Sequence, residues 1–418
     1  MSRAGLTSGW RIGRIFGITV RVHPGWIIIC LLLVYSLGDW LLPASDVAGG
    51  GSWWEGERLL AQMRMGLGPQ VAPDWPRWQH WALALVGTLG LFGCVLAHEL
   101  AHSVVAIASG MKVEGITLFI FGGVARLRDE APTAGAEFRV AVVGPAMSLA
   151  LAAFCWALYY GFGWLLPEQS RALLFYFGFV NTMLAAFNLL PGFPMDGGRL
   201  LRAAIWKRVG NLRQATYIAS LLGRIVGGTF MALGGTIMVL GLLAGGGFSI
   251  GALWLAFIGF FLWNAAKASY QHVVLREAFA GLTVGHLMRR ETAWIGPDVT
   301  LDLLVSDCFH GLHPAGCPVV EDGRIIGKVG LGEVRSIARP LWPHTRVRDA
   351  MRHGADCVTA LRPTDDALDG LRMMVEDDRG AVVVAEDGCP QGVLRRDDLL
   401  ALMEVRSRLG PRAGAEPA

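Results

Sequence analysis

The sequence is short of charge. Asp, Glu, Lys and Arg make up 17% of 418 residues, and 53% are hydrophobic, where soluble proteins carry about 25% charge. The shortage is uneven. Residues 1–277 hold 20 Lys+Arg and 13 Asp+Glu, so 33 of 277 are charged, whereas residues 278–418 hold 17 and 21, or 38 of 141. The first stretch is too apolar for one soluble domain and for a disordered chain, so both classes are excluded. The seven cysteines are odd in number and none forms Cys-x-x-Cys, so no disulfide framework is implied. Nucleic-acid binding is not expected either, because the basic residues flank apolar runs and the charged second part is net acidic. What remains is a membrane region followed by a soluble one.

A helix needs about 20 mostly apolar residues to cross a bilayer. Runs at 25–42, 81–108, 138–165, 172–190, 215–243 and 250–266 reach or approach that length. Lys and Arg collect on the cytoplasmic side of a membrane. Arg3, Arg11, Arg14 and Arg21 precede the first run with no acid, and residues 199–213, after the fourth, hold Arg199, Arg202, Lys207, Arg208 and Arg213, again with none. Six spans with both termini in the cytoplasm satisfy these biases, giving a multi-pass protein of the cell membrane. The expected domains are a membrane domain at 1–277, a soluble domain at 278–408 and a disordered tail at 409–418.

The second run contains His98-Glu99-Leu100-Ala101-His102. Histidines at i and i+4 share one helix face, as two ligands of one metal require. Glu99 beside them can accept a proton from attacking water. Ionisable groups in membrane helices are costly and functional by default, which argues against packed histidines alone. A catalytic zinc takes a third protein ligand from elsewhere. The fourth run ends Asn188-Leu-Leu-Pro-Gly-Phe-Pro-Met-Asp196-Gly-Gly-Arg199. Two prolines three apart break the helix, and irregular backbone at membrane depth belongs in packed protein or beside a wet cavity. Asp196 is the one carboxylate there, with a helix cap as its other use. Asn181 and Asn188 lie seven apart on one helix face. Asn188 can donate to a substrate carbonyl or an oxyanion, or join helices.

Together these two motifs resemble the site-2 protease family of intramembrane zinc metalloproteases, in the branch with C-terminal cystathionine-β-synthase-type (CBS) domains. The resemblance implies a polytopic α-helical membrane domain with a membrane-associated β-hairpin, and a small α/β tandem CBS domain after it. It implies one zinc ion per chain held by His98, His102 and Asp196, with Glu99 as general base. Phe121-Gly122-Gly123-Val124 matches the family's Gly-Gly element in the hairpin after the catalytic helix. Gly144-Pro145-Ala146-Met147-Ser148 matches its Gly-Pro element, with Ser148 where many members have Asn. A transmembrane substrate hides its amides in helical bonds, so residues 117–127 are expected to form a strand edge that pairs with an unwound substrate. Phe121, Gly122, Gly123, Val124 and Asn181 are then substrate-facing, and Glu99 and Asn188 catalytic. The expected activity is regulated proteolysis of a membrane-embedded or membrane-associated protein. A non-proteolytic metal-binding or sensor protein on the same scaffold is the competing reading, and Glu99 beside the ligands speaks against it.

Residues 280–405 repeat themselves. Val284-Gly-His-Leu-Met288 returns as Val347-Arg-Asp-Ala-Met351, and Pro318-Val-Val320 through Gly327 parallels Val382-Val-Val384 through Gly392. This resembles a tandem CBS pair, a type that senses adenosine nucleotides and forms homodimers. Of the positions that usually hold Thr and Asp, the first copy has Gly330 and Glu333 and the second Arg395 and Asp398. Asp398 alone keeps the ribose-binding residue type. Nucleotide sensing and plain docking both remain open for the module.

Overall fold

The structure is a computed structural model that describes residues 9–41, 76–119, 122–127, 131–245, 247–290, 294–308, 317–354, 360–376 and 380–409. The chain divides into two compact units, Gly5–Gln271 and His272 onward.

The first unit opens with a hairpin, β1 (Trp10–Ile15) and β2 (Ile18–Val22), joined by Phe16 at φ 50° and Gly17 at φ 79°. Two successive positive φ angles are what a type I′ turn requires. Ile18, Val20 and Val22 are buried and alternate with half-buried Thr19 and Arg21. This is a period-two pattern that an apolar-run reading of residues 1–24 passes over. Helix α1 (Gly25–Leu41) follows. Helix α2 (Arg77–Ala108) leads into β3 (Val113–Phe119) and β4 (Gly122–Leu127). The four strands form one sheet in the order β1-β2-β3-β4, with β2 and β3 parallel and the other pairs antiparallel. Ile18, Val22, Ile116 and Leu118 pack with Trp26 of α1 and Val95, Leu96 and Leu100 of α2. The sheet is thereby fixed to the helix that carries the histidines.

Four more long helices follow, α3 (Ala134–Phe162), α4 (Glu168–Asn188), α6 (Leu212–Leu243) and α7 (Ile250–Phe279), the last running past Gln271 into the second unit, with the shorter α5 (Asp196–Val209) between α4 and α6. Among the described residues five helices are long and apolar enough to cross a membrane, and α1 is a shorter apolar helix. Several helices begin three or four residues before the apolar runs that announce them. Two of them are capped by a side chain: Thr133 Oγ1 accepts from Ala136 N–H at 3.2 Å, and Asn211 Oδ1 from Gln214 N–H at 2.9 Å. Such caps satisfy backbone donors that the first turn leaves open.

The second unit shows the repeat in three dimensions. Strands β5 (Cys317–Glu321), β6 (Arg324–Val329) and β7 (Arg352–His353) form one sheet. Strands β8 (Ala360–Leu361), β9 (Ala381–Glu386) and β10 (Cys389–Arg395) form the other, in the order β10-β9-β8. Both antiparallel pairs close through Asp-Gly turns with positive φ, Asp322-Gly323 and Asp387-Gly388. Each repeat lends its opening segment to the other's sheet: Arg352 pairs with Lys328 in β6, and Arg289 bridges Val393 in β10. Two apolar cores follow, one around Leu301, Leu304, Val319 and Val347, the other around Phe279, Met374, Leu394 and Leu399. Residues 410–418, most of the tail expected to be disordered, lie outside the described residues.

Candidate metal centre and active site

On α2, His98 and His102 project from successive turns and are 4% and 5% exposed. Asp196 opens α5 and reaches them from the far side of the helix break. The Oδ2 of Asp196 lies 3.2 Å from Nε2 of His98 and 3.0 Å from Nε2 of His102, and the two Nε2 atoms are 3.2 Å apart. Tetrahedral ligation at zinc distances spaces donor atoms by roughly 3.3 Å. Among the described residues these three are the group able to hold a metal ion.

The histidines' other nitrogens are held by α3. His102 Nδ1 donates to the main-chain oxygen of Val140 at 2.6 Å. A carbonyl only accepts, so Nδ1 carries the proton and Nε2 presents its lone pair to the centre. Nδ1 of His98 sits 2.9 Å from Ser148 Oγ, itself fully buried. Between them stands Gly144, where a Cβ would collide with the Nε2 atoms of both imidazoles. Oriented imidazoles, a carboxylate and a cradle open only to glycine fit a zinc ion. Val140, Gly144 and Ser148 are spaced by four, one stripe of α3, and that spacing is the signal by which sequence could have revealed them.

The break between α4 and α5 is packed. Gly197 and Gly198 lie so close to Leu189, Leu190 and Gly192 that any Cβ would strike backbone. The Phe193 N–H donates to Ala219 O on α6 at 3.1 Å. These contacts set Asp196 on the first turn of its helix.

Glu99 is half-buried and lies against β4. A Cβ on Gly123 would come within 2.5 Å of Glu99 Cγ, and the Ala125 N–H donates to the Glu99 carboxylate. Among the described residues β4 pairs with β3 on one side and ends the sheet on the other. Gly122 and Gly123 thus stand on the edge strand beside Glu99. Phe121 lies outside the described residues, as does the side chain of Val124. The two asparagines have partners of their own. Asn181 is fully buried and donates to Cys94 Sγ at 3.2 Å and Phe177 O at 2.8 Å. Asn188 donates to Leu184 O of its own helix at 3.0 Å. In the soluble unit, Asp398 accepts two bonds from Arg289, 2.7 Å to Nε and 2.6 Å to Nη2. Its counterpart Glu333 accepts from Arg352 at 2.6 Å. The Arg289 guanidinium holds the Asp398 carboxyl below its ordinary range.

Residues 86–168 and 163–233 match peptidase family M50, and residues 344–405 match the CBS domain. The protein named "Putative zinc metalloprotease Rip3" from Mycobacterium tuberculosis is 33% identical over 401 residues, 94% of this chain and 92% of that protein. "Zinc metalloprotease MJ0392" from Methanocaldococcus jannaschii is 30% identical over 315 residues, 75% of this chain and 84% of that protein. Among solved structures, the site-2 protease from Methanocaldococcus jannaschii is 26% identical and covers 63% of this chain and 95% of its own, with a TM-score of 0.38. The chain belongs to peptidase family M50, the site-2 protease family. It is a multi-pass membrane zinc metallopeptidase with a CBS region, and its substrates are membrane-associated.

Proposed function

We propose that this protein cleaves membrane-embedded or membrane-associated proteins in regulated intramembrane proteolysis, at a centre made by His98, His102, Asp196 and Glu99. The observation that carries this is the convergence of three donor atoms within 3.0–3.2 Å, with Glu99, the neighbour of His98, packed against Gly123 of a strand that ends the sheet among the described residues. His98, His102 and Asp196 hold one zinc ion, which supplies a Lewis acid that lowers the pKa of water towards about 7 and polarises a carbonyl. Glu99 takes the proton of the attacking water and passes it to the leaving amine. The β4 edge, at Gly122 and Gly123, pairs with the unwound stretch of substrate and holds its scissile amide beside Glu99. Asn188 stabilises the oxyanion after its amide leaves the Leu184 carbonyl.

The membrane domain is 1–277 and the CBS-type domain 278–408, with the N-terminus and the CBS region in the cytoplasm of a cell whose plasma membrane holds the enzyme. The CBS region regulates the protease or docks a partner, and pairs with a second copy. An adenosine nucleotide seated on Asp398 must displace Arg289, which makes its binding sensitive to that ion pair.

Reconstituted wild type and Glu99→Gln, each with a single-span substrate, test this reading. Zinc retained with cleavage lost in the variant is the expected result. Equal cleavage by both proteins would overturn it.

A further inference from the structure

Glu137 is fully buried in the first turn of α3, and nothing in the proposed reaction uses it. A lone carboxylate there would be expensive. Its Oε1 accepts from Arg202 Nε at 2.7 Å and is also reached by Arg202 Nη2, and Arg199 Nε lies 4.0 Å away. Both arginines are on α5, three and six residues after Asp196. The Arg202 guanidinium also covers the Phe193 ring at 5.2 Å, and Phe193 lies in the unwound stretch just before Asp196. Glu137 Oε2 has no hydrogen-bond partner among the described residues. The side chain's whole polar commitment is therefore to α5.

The helix that bears Glu137 is the one that orients both imidazoles. Val140 follows Glu137 by one turn and holds His102, and Ser148 further along holds His98. α3 thus sets two donors through hydrogen bonds and grips the helix of the third through an ion pair. We propose that Glu137 is a positioning residue for the metal centre: through Arg202 it fixes the register of α5 against α3, and so the place of Asp196 Oδ2 relative to the two Nε2 atoms. The inference rests on His98, His102 and Asp196 being the ligands. A pair that only glued helices together would add stability without setting ligand geometry.

Cobalt(II) reports ligand geometry through its visible absorption, so it separates the two roles. The full chain, solubilised in detergent and stripped of metal, would be titrated with Co²⁺ and challenged with a chelator. The set comprises wild type, Glu137→Gln, the double exchange Glu137→Arg/Arg202→Glu, and the ligand controls His98→Ala and Asp196→Asn. Glu137→Gln keeps the size and one acceptor of the side chain. It is expected to melt near wild type without metal, yet bind Co²⁺ roughly 10–100-fold more weakly with an altered spectrum. The double exchange, which restores an ion pair, should recover part of that loss. A wild-type spectrum and affinity in Glu137→Gln would overturn the proposal. So would weakened binding that tracks an equal loss of metal-free stability. Unchanged Co²⁺ binding in His98→Ala and Asp196→Asn would instead sink the ligand assignment itself.

Discussion

The main-chain oxygen of Val140 accepts the Nδ1 proton of His102 at 2.6 Å, so a residue with no functional side chain decides which nitrogen of that histidine is turned to His98 and Asp196. Ser148 plays the corresponding part for His98 through its hydroxyl, at 2.9 Å. Removing that hydroxyl frees the ring without touching a ligand. Ser148→Ala should lower zinc affinity by roughly 10–100-fold, the range for lost outer partners of metal-bound histidines. Competition with a graded series of chelators measures it. Wild-type affinity would show that the packing of α3 alone orients His98.

Gly144→Ala is the harsher change on the same stripe. The added methyl would occupy the space of both imidazole nitrogens, and the helix backbone cannot retreat without uncoupling Val140 and Ser148. Zinc content should fall close to zero while helix content, read by circular dichroism, stays near wild type, since alanine is a better helix former than glycine. One zinc per chain in the purified variant would contradict the close packing described here.

Along β4 the expectation concerns substrate rather than metal. Proline lacks the N–H of a ladder, so proline at 123, 124 or 125 should reduce cleavage of a single-span substrate strongly while zinc content holds. Ala125→Pro also removes the N–H that Glu99 accepts and should be the most damaging. Undiminished turnover in all three variants would remove the edge strand from substrate binding.

In the soluble unit the Arg289–Asp398 pair makes a prediction about acid. Arg289 depresses the Asp398 carboxyl in the folded protein, chiefly by hydrogen bonding. A depressed folded value means the pair's contribution is present above the unfolded carboxylate value of about 3.9 and is lost as pH falls through the folded one. Arg289 is 57% exposed, so solvent screens the pair and its contribution is small. Hydrogen exchange in β10, which Arg289 bridges at Val393, should accelerate on acidification in wild type more than in Arg289→Gln. Identical acid responses in the two proteins would assign the pair no energetic role.

The candidate ligands were legible in the sequence because their chemistry is rare in an apolar setting. His98, Glu99 and His102 in a long apolar run, and Asp196 after two prolines, announce themselves by residue type. Their supports do not. Val140 acts through a carbonyl that every residue owns, and Gly144 and Ser148 read as ordinary small residues of a packed helix. Glu137 and Arg202 are 65 residues apart, and only tertiary packing brings them together. What the asparagines bond is hidden for a related reason. Spacing puts Asn181 and Asn188 on one face, but it does not say that both amides turn back to carbonyls of their own helix, Phe177 and Leu184, or that Asn181 also meets Cys94. The β1–β2 hairpin escapes because its alternation is only five residues long, beside a far stronger apolar run.

The donor set is split between α2 and the start of α5, with His102 and Asp196 94 positions apart. During synthesis the histidine pair therefore precedes the carboxylate, and a site built on all three would stay incomplete until the segment around Asp196 has folded back onto α3. A protease that depended on that set would be inert while its first four helices are inserted, sparing its neighbours as it is made.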